Sequence, residues 1–158
     1  QILPSAGLDR FVVDEALVGR PKPDWYKRLP DNVRALLDEV YLGLSNNMRA
    51  LPSMGLRTVI DMVCVDLVGD VGNFADKLKA LRSHGHVSDR EKAILEIAIN
   101  VGSASAHRGH HPSMEDLNSL LDICEHLLKG IYVLPATSEV LRKSTPPRAA
   151  GKADGKNE

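Results

Sequence analysis

Strand-like alternation is missing from this sequence. No stretch alternates apolar and polar residues over the roughly four to eight positions that a half-buried strand needs, so a sheet is not expected. No internal repeat is visible either. No apolar run has the length of a bilayer span. The N-terminus lacks the basic segment and apolar core of a secretory signal, which makes the cytoplasm the expected location. The chain starts at Gln1 rather than Met, as a trimmed product or a piece of a longer protein would. Charge of one sign is lacking too: 20 Lys and Arg against 21 Asp and Glu give a formal net charge of −1. There is then no global basic field to draw nucleic acid. Cysteine is scarce. Cys64 and Cys124 are far apart, each inside an apolar helical pattern, and read as small buried hydrophobes of a reducing compartment. No cofactor is implied.

What is present is helical periodicity. A chain of 158 residues is expected to form one domain, and at this size roughly 70% of the unfolded surface can be buried. Residues 1–30 carry Pro4, Pro21, Pro23 and Pro30 and read as an extended N-terminal arm, with a short helix possible around Asp9 to Leu17. Trp25 and Tyr26 are expected to pin the arm to the core; an exposed aromatic recognition arm is the alternative.

The bundle is expected over 31–135. Asp31 or Asn32 caps a first helix whose Val33, Leu36, Leu37, Val40, Tyr41 and Leu44 share a face, and Asn46 and Asn47 end it. Pro52 and Ser53 open a second helix that is apolar nearly all round and runs to about Gly69, as expected of a central helix covered on several sides. Arg57 and Asp61 are its polar exceptions, four apart, and read as a local ion pair. Asn73 caps a shorter third helix that stops at Gly85. Ser88 to Glu91 and Ser113 to Asp116 match capping boxes that start a fourth and a fifth helix. The fourth buries Ile94, Ile97, Ala98 and Val101. In the fifth, Met114, Leu117, Leu121, Cys124, Leu128 and Ile131 form a stripe that Leu120, Leu127 and Leu134 widen, and Pro135 is expected to terminate it. Residues 142–158 hold five basic and two acidic side chains and no large apolar one, as a disordered basic tail would.

The run from Asn100 to Pro112 holds half of the six histidines and the small residues Gly102, Ser103, Ala104, Ser105 and Ala106. Such a run disfavours a free helix, since Gly costs about 1 kcal/mol against Ala in a helix interior. It suits a tight helix crossing. Three readings of His107 follow. Its ring is hydrogen-bonded within the crossing, or it serves catalysis or ligand binding, or it ligates a metal with His110 and His111. The cluster lacks a recognised ligand spacing, so no metal site is assigned.

Leu29-Pro30 before the first helix, Gly55-Leu-Arg-Thr-Val-Ile-Asp61 in the second, Gly102 five before His107, and the Leu-rich helix ending Gly130-Ile-Tyr-Val-Leu-Pro135 occur in one order. Over residues 29–135 the chain thereby resembles the prokaryotic family known as domain of unknown function 4145. That resemblance implies kinship with the HEPN superfamily, small all-α bundles of four to five helices that usually dimerise. Many of these are RNases of toxin–antitoxin, phage-defence and restriction systems.

Their active site takes an Arg, four to six intervening residues, and a His. The Arg holds phosphate and the His moves a proton on the ribose 2′-hydroxyl. Here those Arg positions are Gly102, Val101 and Asn100. Ile99 stands where relatives often place an Arg, and Ser103 replaces their usual Asn.

The expected function is therefore a non-catalytic HEPN-like module for dimerisation or partner binding, in a restriction or phage-defence setting. Two alternatives stand beside it. One is a divergent ribonuclease using His107 with Arg57 or Arg108, with Arg57 the better placed. The other is a nucleotide or small-ligand pocket bordered by Arg57, His107 and His110. A homodimer and a protein partner are expected, RNA or nucleotide less so.

Overall fold

A computed structural model describes residues 20–148, and among them there are helices and no strand. The expected helix over Asp9 to Leu17 and the tail residues 149–158 lie outside the described residues. A 3₁₀ turn, Asp24–Arg28, leads into α1 (Asp31–Ser45) and α2 (Ala50–Val68). Then come α3 (Phe74–Ser83), α4 (Asp89–His107) and α5 (Met114–Leu128). A π-helical turn (Lys129–Val133) joins α5 to α6 (Leu134–Ser144).

α2 is the central element, as its all-round apolar character requires. Leu56, Val59, Ile60, Val63 and Cys64 are fully buried, and α1, α3, α4 and α5 all pack against this one helix. α1 turns in Val33, Leu37, Val40, Tyr41 and Leu44, and α5 turns in Leu117, Leu121, Cys124 and Leu128. Three starts use reciprocal capping: Asn73 with Asp76, Ser88 with Glu91, and Ser113 with Asp116. α1 departs from expectation. Pro30 occupies the cap position with no side-chain bond, and Asp31 lies in the first turn, where its carboxylate pairs with Arg34.

The arm is pinned as its aromatics predict. Tyr26 is buried edge-on to Tyr41, with ring centroids 5.9 Å apart. Its hydroxyl donates to the Asp38 carboxylate at 2.6 Å. Lys22 reaches the same carboxylate, and the two donors hold Asp38 below the usual carboxylate range, Lys22 foremost. Behind them, Glu125 of α5 accepts from the Tyr41 hydroxyl and from Arg20.

Pro135 does not end the fifth helix. A proline inside a helix lacks a donor and crowds the carbonyl four residues back. Here the widened turn comes just before it, and the Leu134 N–H bonds to the Lys129 carbonyl. The backbone is thus rearranged before Pro135, which enters at the start of α6, where its missing N–H is tolerated. The helix continues to Ser144, so the segment read as tail from residue 142 begins inside it.

Both cysteines are buried. Burial, then the nearby Asp61, pushes the Cys64 thiol up to about 11. Burial pushes Cys124 up further. Only the thiolate is nucleophilic. Neither cysteine should react with a water-soluble thiol reagent until denaturant unfolds the chain. Prompt labelling of either in the native protein would contradict this packing.

Candidate functional site

The small-residue run forms a seam, as expected, and the seam joins α4 to α2. Gly102 faces Ser53 and Arg57. A β-carbon in its place would stand 2.8 Å from the Ser53 carbonyl oxygen and 2.5 Å from the Arg57 β-carbon. Ser53 and Ser105 are both buried, and the Ser53 hydroxyl donates to the Ser105 hydroxyl at 2.7 Å. Ser105 donates on to the Val101 carbonyl at 3.3 Å. With this relay the seam meets the demand that buried hydroxyls be bonded.

His107 is not held in it. The histidine occupies the last residue of α4, about half a turn beyond Ser105 at 3.6 residues per turn, and is exposed. The expected ring hydrogen bond in the crossing is absent among the described residues. The reason is azimuth: the helix has already turned that position to solvent.

Arg57 is engaged elsewhere. Its Nε donates to the Ser103 hydroxyl at 3.0 Å, and its guanidinium lies over the Phe74 ring, 4.7 Å from the centroid. The expected ion pair with Asp61 is replaced by longer-range partners. Asp61 accepts from Lys77 of α3 at 2.9 Å, and Lys77 also pairs with Asp70. Arg108 turns back to the Asn100 side-chain oxygen at 2.8 Å. His110 lines a cleft between α4 and α5 together with Ile97, Val101 and Asp116. His111 sits against the Gly109 carbonyl at 3.0 Å. Arg57 is thus held against Ser103 and Phe74, and it does not line the α4–α5 cleft that His110 borders. Among the described residues, no group of three or more His, Cys, Asp or Glu side chains is placed to hold a metal.

The residues that the sequence reading missed lie on the other flank of α4. Ile94 and Ile97 were expected inside; they are 37% and 65% exposed, and Leu95 and Ile99 take their places in the core. Their exposed side chains wall a groove between α4 and α5. One cavity, about 600 Å³, is lined by Val87, Ile94, Ile123 and Leu127, with Arg90, Glu91, Asp122 and His126 also bordering it. A second, about 300 Å³, is lined by Ile97, Leu120 and His110 among others, and Ile123 borders both. Glu91 and His126 approach within 3.5 Å across one end. The Ser88 backbone N–H and hydroxyl, and then His126, hold the Glu91 carboxyl below the usual range. A largely apolar cleft with a polar rim suits an apolar segment of a protein better than a phosphate.

Helices packed around one central helix, with apolar clefts between two of the outer ones, define this as a helical-bundle domain. Residues 21–144 match the family described as Domain of unknown function (DUF4145), and the chain belongs to that family. The match takes in both the pinned arm and α6, beyond the residues that carried the resemblance. No curated protein and no solved structure matches the chain. Among the described residues, no helix is long and apolar enough to cross a membrane.

Proposed function

We propose that the chain is a non-catalytic HEPN-like module of the prokaryotic cytoplasm that works by association, as a homodimer and with a protein partner, in a restriction or phage-defence setting. The observation that supports this reading is the occupation of Arg57. A guanidinium that is to hold a scissile phosphate must offer its fork to the ligand. This one donates to Ser103 and covers Phe74. Drawing it out would unpack the seam beside Gly102. Arg108 is tied to Asn100, so an exposed His107 lacks a poised cation beside it. The apolar groove supplies what an association module needs instead.

The test is cleavage of mixed RNA by purified chain and by His107→Ala. The expected result is the same background from both, with unchanged helicity and thermal midpoint. RNA cleavage by the native chain that disappears in the variant would replace this reading with that of a ribonuclease.

A further inference from the structure

α6 leans on little of its own chain. Among the described residues none of its side chains is buried, and it packs chiefly on the π-turn that it continues. A short isolated helix is marginal in water, and tertiary packing normally supplies its stability. The joint beneath α6 is itself anchored. Tyr132 donates to Asp66 of α2 at 2.8 Å, and Val133 is buried, so the turn stays on the core. Past that point the backbone ladder thins. The Leu134 N–H reaches back to the Lys129 carbonyl, and Pro135 has no N–H to give the Ile131 carbonyl four residues earlier. Single widened turns of this kind recur at functional sites.

One side chain from another element reaches across the joint. Arg28, which ends the 3₁₀ turn of the arm, donates from Nη2 to the Val133 carbonyl and from Nη1 to the Thr137 hydroxyl, both at 3.2 Å. Thr137 donates to the same Val133 carbonyl at 3.0 Å. The guanidinium fork thus spans the end of the π-turn and the first turn of α6. Among the described residues, the bonds and ion pairs of Ser138, Glu139, Arg142 and Lys143 stay within α6. The arm that carries Arg28 has its seat on other elements. Tyr26 and Lys22 meet on Asp38 of α1, and Arg20 reaches Asp122 and Glu125 of α5.

We propose that Arg28 makes the pinned arm and α6 one conformational unit: the docked arm aims α6, and lifting the arm releases the helix to swing on the widened turn. This goes beyond the association reading and does not depend on it. Coupling of this kind is reciprocal. A ligand that engages the arm changes where α6 points, and one that engages α6 changes how firmly the arm sits. Exposed hydrogen bonds are modest, and losing such a pair shifts an equilibrium by roughly five- to thirty-fold. That is enough to fix α6 and little enough for binding to reverse.

Spin labels on Lys79→Cys of α3 and Ser144→Cys at the end of α6 read the aim of the helix in the full chain. Cys64 and Cys124 are buried and leave the labels to the introduced sites. A second pair, Lys79→Cys with Glu115→Cys, lies within the bundle and serves as reference. The otherwise native chain should give one narrow distance between 79 and 144. Arg28→Ala should broaden or displace it, lowering the ratio of native to displaced population by roughly five- to thirty-fold, while the reference distance and the helicity stay unchanged.

Asp38→Lys tests the linkage. It removes the carboxylate that Tyr26 and Lys22 share, sets a cation beside Lys22, and alters no residue of α6 or the joint. It should release the 79–144 distance as Arg28→Ala does; Asp38→Asn takes its place if the reference distance moves. An unchanged distance in Arg28→Ala overturns the role given to Arg28. Release by Arg28→Ala but by neither Asp38 variant overturns the conformational unit and reduces Arg28 to a local brace.

Discussion

Gly102→Ala should destabilise the fold by about 1–2 kcal/mol, although alanine is the better helix former. In an open helix the exchange would gain about 1 kcal/mol. At Gly102 the new methyl would stand 2.8 Å from the Ser53 carbonyl oxygen and 2.5 Å from the Arg57 β-carbon. The first belongs to backbone and the second is fixed to it, so neither can swing aside. α4 must back away from α2, which lengthens the Ser53–Ser105 hydrogen bond and loosens Arg57 over Phe74. Overpacking of this kind typically costs about 1–3 kcal/mol, enough to outweigh the propensity gain. For a chain of this size, each kcal/mol lowers the thermal midpoint by roughly 2–4 °C. Gly102→Leu should fall further, on the order of 3 kcal/mol. Urea unfolding measures both. An alanine variant at least as stable as the native chain would mean that the helices do not touch at this position.

Ile60→Ala should cost more, about 3–4 kcal/mol. Ile60 is fully buried on the one helix that the other core helices share. The surrounding helices cannot collapse onto a gap at the centre without parting elsewhere, so transfer and cavity contributions add. Ile60→Val removes a single methylene and should cost about 1 kcal/mol. Val65, on the same helix but 37% exposed, supplies the contrast: Val65→Ala should change stability by less than about 1 kcal/mol. Against a usual total of about 5–15 kcal/mol, the Ile60→Ala loss is a large fraction. The urea midpoints should fall in that order at unchanged slope. Equal midpoints for Ile60→Ala and Val65→Ala would displace α2 from the centre.

How far the sequence could be read depended on how local each signal was. The capping boxes at Ser88 and Ser113 and the asparagine cap at Asn73 lie within four residues of what they satisfy, and all three start helices as read. α2 was legible as central because no polar face remained to give to water. α4 was not legible in the same way. Ile94, Leu95, Ile97, Ala98, Ile99 and Val101 surround the helix, so periodicity alone left its inner face open. The face is chosen by Gly102 and Ser105 meeting Ser53, a contact across 52 residues for the serine pair. Once the small residues face α2, Leu95 and Ile99 go in with them and Ile97 goes out.

Arg57 and Asp61 show the same limit. Four-residue spacing made a local pair plausible, but Ser103, Phe74 and Lys77 are distant in the chain and took both side chains. His107 adjoins the seam in sequence, yet it sits too far round the helix to enter it. Pro135 was read by its ordinary effect on a regular helix, whereas the backbone had already widened one turn earlier.

That widened turn separates two properties that a straight helix ties together. In an unbroken helix, residue number alone sets the compass bearing of a side chain, so anything beyond Leu128 would have carried the inner stripe outward on one line. With one extra residue accommodated, that bearing shifts by about a quarter turn for everything after the joint, so Leu134 and Leu141 leave the line that Leu120 and Leu127 keep to the core.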